Sequence, residues 1–479
     1  MSDLSNASDQ PTRSKWRKRL IISAILILGV GSLGWLVWSW LGADATRPLL
    51  EEMARISAAG EPIYPEDFDR DPVADEENAY LFAMAAAEAL AMRTSVGDLT
   101  DWAKPFDLEK AGQFVCANEE ALALVRKARG MTGCDSGLRM RLPLVNSFPA
   151  CVRNINRLRQ LTKTVCVAAK WHHQIGDDLQ ATELLRDAVR IGRIAETNGV
   201  ILNHLVAIAL DSLTYSCIEE ICYSLQVSDS GSPDGLATRR QVEALISELL
   251  DEEQLREATV RCYQVERAWN ADVALSALRG DAPATASPGG AVMAVLLRPV
   301  LKEDAVTSVR RGSSLVEAVG QDNWPAASGT LPEAPDGPDW LARLRNPLSG
   351  SVGALNNAVR MRYLVLAMRR MAAIALGVRL YEIDCGVRPA ELAELVGEYL
   401  PAIPADPFAA DGRVISYLPG PARPILYSIG RNGIDDHGKY ADDPEDWPDP
   451  DYDVPFFLDG NRPHGKPEGE PATASRPPS

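Results

Sequence analysis

Residues 161–225 read LTKTVCVAAKWHHQIGDDLQATELLRDAVRIGRIAETNGVILNHLVAIALDSLTYSCIEEICYSL. Apolar residues recur here at helical spacing. Gly176-Asp177-Asp178 interrupts the first run, and a second break falls at Asn198-Gly199. Glycine and Asp/Asn end helices because they accept turn conformations and compete for backbone hydrogen bonds. The stretch therefore predicts a helical hairpin followed by a third helix, and sets the fold class as mainly α.

Working outward, Ala169, Ala181, Leu185 and Ala188 around the Gly-Asp turn resemble one tetratricopeptide-type repeat, in which small residues let paired helices approach closely. No second copy follows at the same period, so a helical domain is expected rather than a solenoid. Glu77 to Met92, Leu108 to Arg129 and Val152 to Ala169 carry further apolar faces. Gln241 to Leu278 reads as another long helix, broken by the Pro- and Gly-rich segment 281–290. Ala291 to Leu301 is apolar but too short to cross a bilayer, so it reads as a buried or interfacial helix. Gly137 to Leu144 alternates briefly, as a short strand or extended loop. These elements define a helical ectodomain over 77–319. Residues 42–76, with a short helix from Pro48 to Ala59 and prolines at 62, 65 and 72, read as a stalk or wrapping loop.

At the other end of that stalk, Leu20 to Leu41 contains no charge, and as a helix it extends roughly 33 Å, enough to span a bilayer. Arg13, Lys15, Arg17, Lys18 and Arg19 precede it, and Asp44 follows. The positive-inside rule then keeps 1–19 as a cytoplasmic basic tail and translocates the rest. Trp16, Trp35, Trp38 and Trp40 suit the two interfaces. A cleaved signal peptide ending at Ala43-Asp44-Ala45 is the alternative, but the apolar run exceeds a usual signal core. The expected location is the inner (cytoplasmic) membrane, single-pass, with the bulk periplasmic or otherwise extracytoplasmic.

The formal charge of -17 over 479 residues excludes non-specific nucleic-acid binding, which needs a basic face. Eight cysteines are too sparse for a disulfide-built fold and show no zinc-ligand spacing, although Cys116 and Cys134 could close a local loop. None of the five histidines belongs to a ligand motif. His172 and His173 fall near a helix end, and His204 lies in an apolar helical run where a satisfied core histidine is expected. Nucleophile-elbow and Walker motifs are missing. Carboxylates are abundant, but glycosidase-type pairs meet in space rather than in sequence, so no pair is selected.

Gly320 to Pro347 holds Pro325, Pro332, Pro335, Pro338 and Pro347 with little periodicity, which marks 320–350 as a linker. After it, Ser351 to Ile383 carries one uninterrupted helical pattern, through Leu355, Val359, Leu364, Met368, Met371, Ile374 and Leu380, with Gly386 placed as a C-cap. A short helix from Pro389 to Leu400 and two strand-like runs, Arg413 to Leu418 and Ile425 to Ile429, complete a unit over 351–460. Residues 461–479 have the composition of a disordered tail.

Leu380-Tyr381-Glu382-Ile383-Asp384-Cys385-Gly386-Val387-Arg388-Pro389, then Tyr399-Leu400-Pro401, Asp406-Pro407-Phe408 and Tyr427-Ser428-Ile429-Gly430-Arg431-Asn432-Gly433 resemble the globular part of type II secretion major pseudopilins in order and spacing. The resemblance covers under a quarter of the chain. It implies a long helix on a small antiparallel sheet and a loop that binds Ca²⁺ through backbone oxygens and carboxylates. The corresponding loop, Gly430 to Asp446, contains Asp435, Asp436, Asp442 and Asp443, the expected metal ligands. Clustered carboxylates repel unless a hard cation neutralises them, and a solvated acidic loop is the alternative. The chain departs from the family in lacking its Gly-Phe-Thr-Leu-x-Glu processing motif. The helical region also resembles bacterial membrane proteins ending in a similar Asp-Pro-Phe to Asn-Gly run, which implies a bacterial origin.

Together these readings predict a membrane-anchored bacterial envelope protein of non-enzymatic scaffold or protein-interaction type, with an envelope protein as partner. The rivals are an exported hydrolase with a carboxylate site in the helical domain, and a divergent secretion-system component.

Overall fold

The structure is a computed structural model and describes residues 23, 29–36, 44–91, 99, 105–139, 148–197, 199–229, 235–279, 288–333, 352–420, 423–440, 452–460 and 462. Its helices are α1 (Arg47–Ala58), α2 (Ala79–Ala89), α3 (Leu108–Ala117), α4 (Glu119–Gly130), α5 (Phe148–Gln174), α6 (Asp178–Glu196), α7 (Ile201–Cys222), α8 (Arg239–Leu250), α9 (Glu253–Arg279), α10 (Pro288–Gly320), α11 (Trp324–Thr330) and α12 (Val352–Cys385). Two short strands, β1 (Val227–Ser228) and β2 (Ala237–Thr238), pair in parallel. Strands β3 (Ser416–Leu418), β4 (Ile425–Ser428) and β5 (Val454–Phe457) form an antiparallel sheet in that order. The protein is thus mainly helical with one small antiparallel sheet.

The expected hairpin is α5 and α6, which pack together and against α7. Gly176 supplies the left-handed turn at φ +83°. Asp177 caps α6 by accepting from the Gln180 backbone N–H at 3.2 Å. The long C-terminal helix also ends as expected, with Gly386 at φ +72° donating its N–H to the Glu382 carbonyl.

Two runs that read as single helices are each two. Leu108 to Arg129 divides at Asn118, whose side chain donates to the Phe114 carbonyl and accepts from the Ala91 N–H, 2.8 Å each. Gln241 to Leu278 divides at Asp251 and Glu252. There the last carbonyls of α8 are taken by Arg369 of α12, which donates to Leu249, to Glu248 at 2.7 Å and to Asp251 at 3.0 Å. Helix ends leave carbonyls without intrahelical partners, and a buried guanidinium with several donors satisfies three of them at once. The apolar segment 291–301 is the first part of the 33-residue α10, with Pro299 inside it. Instead of a helix from Pro389 to Leu400, only a 3₁₀ turn forms, Leu392–Leu395. No strand forms at 137–139, and 140–144 lie outside the described residues.

The boundaries drawn from proline content need correction. The 42–76 stalk is part of the body: Leu49, Met53 and Ile56 of α1 are buried with Ala268, Leu301 and Val309. Buried Arg267 holds the same segment by pairing with Glu61 at 2.6 Å and donating to the Pro62 carbonyl. Residues 320–350 do not separate two units. Residues 324–330 form α11, whose Trp324 N–H donates to the Pro407 carbonyl at 2.7 Å, and residues 334–350 lie outside the described residues. The largest hydrophobic cluster runs from Ala79 to Leu458, with α12 packed on α7 and α8, and the one that holds α1 lies beside it on α9 and α10.

Of the expected span, residues 29–36 are helical and leave Val30, Leu33, Trp35 and Leu36 more than half exposed. Among the described residues one helix, α7, is long and apolar enough to cross a membrane. It is a core helix by packing: it lies among α5, α6 and α12 and buries Asn203, His204, Asp211 and Glu219. The tail residues 463–479 and the basic tail 1–19 lie outside the described residues.

Candidate functional site

Where α6, α7, the start of α9 and α12 meet, a cleft of about 310 Å³ opens. Its wall carries Glu196 at the end of α6, His204 and Asp211 on α7, and Arg362 and Arg369 on α12. His204 and Asp211 lie seven residues apart on one face of α7, so both point toward the same groove.

Glu196 and His204 are both buried, and His204 Nδ1 lies 2.7 Å from Glu196 Oε1. A ring nitrogen facing a carboxylate holds the proton, which leaves Nε2 of a neutral ring as the free lone pair. Nε2 is buried without a partner, and the His204 side chain borders the cleft. Thr259 turns its hydroxyl toward the other Glu196 oxygen at 3.4 Å and donates to the Leu255 carbonyl at 2.8 Å.

Asp211 is buried at the cleft wall. Burial pushes its carboxyl up to about 7, the Arg369 charge opposing and the Glu196 charge adding to the rise. A Cβ on Gly192 would stand 2.2 Å from Asp211 Oδ1, so α6 needs glycine where α7 brings its acid closest.

Arg362 is buried over the Tyr363 ring, 5.2 Å from its centroid, and its Nη1 has no partner. Its neighbours are committed: Arg370 grips Glu252 through two bonds of 2.9 and 2.6 Å, and Arg256 pairs with Glu253 and Asp322. The cleft therefore offers a carboxylate-oriented imidazole, a carboxyl raised toward neutrality and a guanidinium with one unpartnered nitrogen. That set can hold a hydrogen-bonding ligand and move a proton.

The residues expected to bind metal lie elsewhere. Asp435 accepts from the Tyr427 hydroxyl at 3.1 Å and the His437 N–H at 3.0 Å, and pairs with Arg413 at 3.2 Å. Asp436 accepts from the Asn432 amide at 3.3 Å. Asp442 and Asp443 lie outside the described residues. Beneath them Asp453 accepts N–H groups from Gly438 at 2.7 Å and Asp436 at 3.4 Å. Burial pushes its carboxyl up to about 6, with Asp436 and Asp435 adding to the rise. Among the described residues no group of three or more His, Cys, Asp or Glu is arranged to hold a metal ion.

His172 and His173 end α5 as expected, where they pair with Asp177 and Asp178 and fasten the hairpin turn. Cys116 and Cys134 are both free thiols rather than a disulfide. His204 is a core histidine as read from its apolar context, but its second nitrogen is unsatisfied. Glu196, Asp211, Arg362 and Arg369 carried no local signal beyond being charged residues inside apolar helical runs. No family model, curated protein or solved structure matches this chain.

Proposed function

We propose that this chain is a single-pass bacterial envelope protein, anchored in the inner membrane by residues 20–41 with its N-terminus cytoplasmic. Its body works by binding, as a scaffold that seats a segment of an envelope partner in the cleft. The binding part rests on one observation: His204 Nε2 and Arg362 Nη1 are buried and unpartnered, on side chains that border the cleft. Each such unmade hydrogen bond costs about 1–3 kcal/mol, which a bound group with complementary donors and acceptors recovers. The anchor is supported by the charge-free run, its basic flank and the exposure of Leu33 and Leu36.

A photoreactive side chain at Gln321, on the cleft, should crosslink a discrete envelope protein in intact cells, whereas one at exposed Leu81 should not. Equal, diffuse crosslinking from both positions would remove the binding reading. Protease added to spheroplasts should digest everything but the first residues; protection of the body would remove the topology.

The C-terminal helix and sheet are read as the pseudopilin-like module, with Ca²⁺ held by Asp435, Asp436, Asp442 and Asp443. Burial raises the Asp453 carboxyl and the Asp436 and Asp435 charges add to the rise, which a nearby cation would oppose. A second reading, an exported hydrolase, is favoured by the Glu196–His204 pair, whose free Nε2 has the geometry of a general base. Turnover on a panel of glycan, peptide and ester substrates that disappears in His204→Gln would bring that reading to the front.

A further inference from the structure

Beside the first cleft lies a second cavity of about 450 Å³, which shares Glu196 and Leu255 with it. Four arginines line it: Arg70 from the segment before α2, Arg190 and Arg193 from α6, and Arg261 from α9. Arg193 pairs with Asp251 at 3.1 Å. Among the described residues, Arg70, Arg190 and Arg261 form no ion pair within 4 Å and Arg70 makes no hydrogen bond, although its charge is felt by Asp135, which Arg139 already holds.

Arg190 donates to the Met131 carbonyl at 2.9 Å, and its Nε is buried without a partner. Arg261 donates to the Phe68 carbonyl and lies over the Phe68 ring, 5.6 Å from its centroid. Burial first, and the Arg70 charge second, push the Arg261 guanidinium down, so the cations crowd one another.

Several other buried or half-buried arginines of the body differ from these three. Arg126, Arg129, Arg186, Arg267 and Arg370 each meet an acid. In a chain of net charge -17, carboxylates are plentiful. The cavity itself offers only exposed Glu257 and Glu196, and Glu196 is turned to His204 and Thr259.

We infer that this cavity is an anion site that takes a phosphate-bearing ligand, its terminal oxygens held by Arg70, Arg190 and Arg261. Guanidiniums arriving from three separate elements outnumber the two oxygens of a carboxylate and match the three terminal oxygens and double charge of a phosphate monoester. The phosphate can belong to a lipid headgroup or to a soluble ester, and the recognising chemistry is the same.

The test uses the full chain in nanodiscs of zwitterionic lipid, titrated with glycerol 3-phosphate by calorimetry at low ionic strength. Binding is expected, with affinity lower by roughly tenfold in Arg70→Ala, the loss of one charge-assisted contact. Arg70 is exposed and unbonded, so this variant should keep the parent melting temperature. Nanodiscs carrying phosphatidic acid that weaken the soluble probe's binding assign the site to a lipid headgroup, and undiminished binding assigns it to a soluble ester. The inference falls if the parent chain does not bind the probe, or if folded Arg70→Ala and Arg190→Gln bind it as tightly as the parent. It also falls if only Arg362→Met loses binding, since that would place the anion in the first cleft.

Discussion

In the acidic loop after β4, the described carboxylates find their partners within about two dozen positions: Asp435 meets His437, Tyr427 and Arg413, and Asp436 meets Asn432. In the cleft only Glu196 and His204 are near neighbours in sequence, and the other partners come from far along the chain. Glu196 meets Thr259, Arg369 reaches α8 across about 120 positions, and Asp211 lies under Gly192 of another helix. A locally satisfied cluster lies at the surface and keeps part of its solvation, so it is tolerant. A cluster assembled from four helices is desolvated, and each member depends on the others.

The largest expected effect breaks the cleft. Arg369→Met leaves the Leu249 carbonyl without its donor, leaves Glu248 and Asp251 to Arg193 alone and removes the cation that acts most on Asp211, and should cost about 3–5 kcal/mol in urea unfolding. A loss below 1 kcal/mol, no more than a surface pair gives, would erase the contrast between the two regions.

Next comes pH. Between the ordinary value of 3.8 and the folded value of about 7, native Asp211 keeps a proton that the unfolded chain has lost. Stability from this group therefore falls as pH rises across that window, by up to about 1.4 kcal/mol per unit, and levels off above it. Asp211→Asn should flatten that part of the profile and raise stability at pH 8; an unchanged profile would show that the carboxyl is not neutral.

Gly192→Ala should cost about 1–3 kcal/mol, because the new methyl meets Asp211 Oδ1 on a packed helix rather than a free chain end. Asp211→Ala in the same background should recover part of the loss. The smallest effect sharpens the other side: Asp435→Ala with Asp436→Ala should change stability by under about 1 kcal/mol in chelator. With calcium present, the parent alone should melt higher; identical melting with calcium and with chelator would leave the loop a solvated one.

Helix existence was legible in the sequence, because an apolar stripe every three or four residues is written locally and has one solution. The turn at Gly176 and the cap at Gly386 were legible for the same reason: only glycine takes those backbone angles without strain. Proline content misled. Asn323 accepts the Ala326 N–H and Pro325 occupies the first turn of α11, so a proline-marked stretch begins a helix as readily as it ends one.

By itself, then, the sequence determined a mainly helical protein, a charge-free segment with a basic flank, the long C-terminal helix and the strands beside Pro419. Those follow from near-neighbour sterics and from the period of the hydrophobic pattern. Only the tertiary structure decided that the stalk and the C-terminal unit join the body, that α8 stops where Arg369 caps it, and that Glu196, His204, Asp211 and Arg362 share one wall. Such pairings are set by which faces meet in three dimensions, and the charged residue inside a helix carries no mark of the partner that will reach it from elsewhere along the chain.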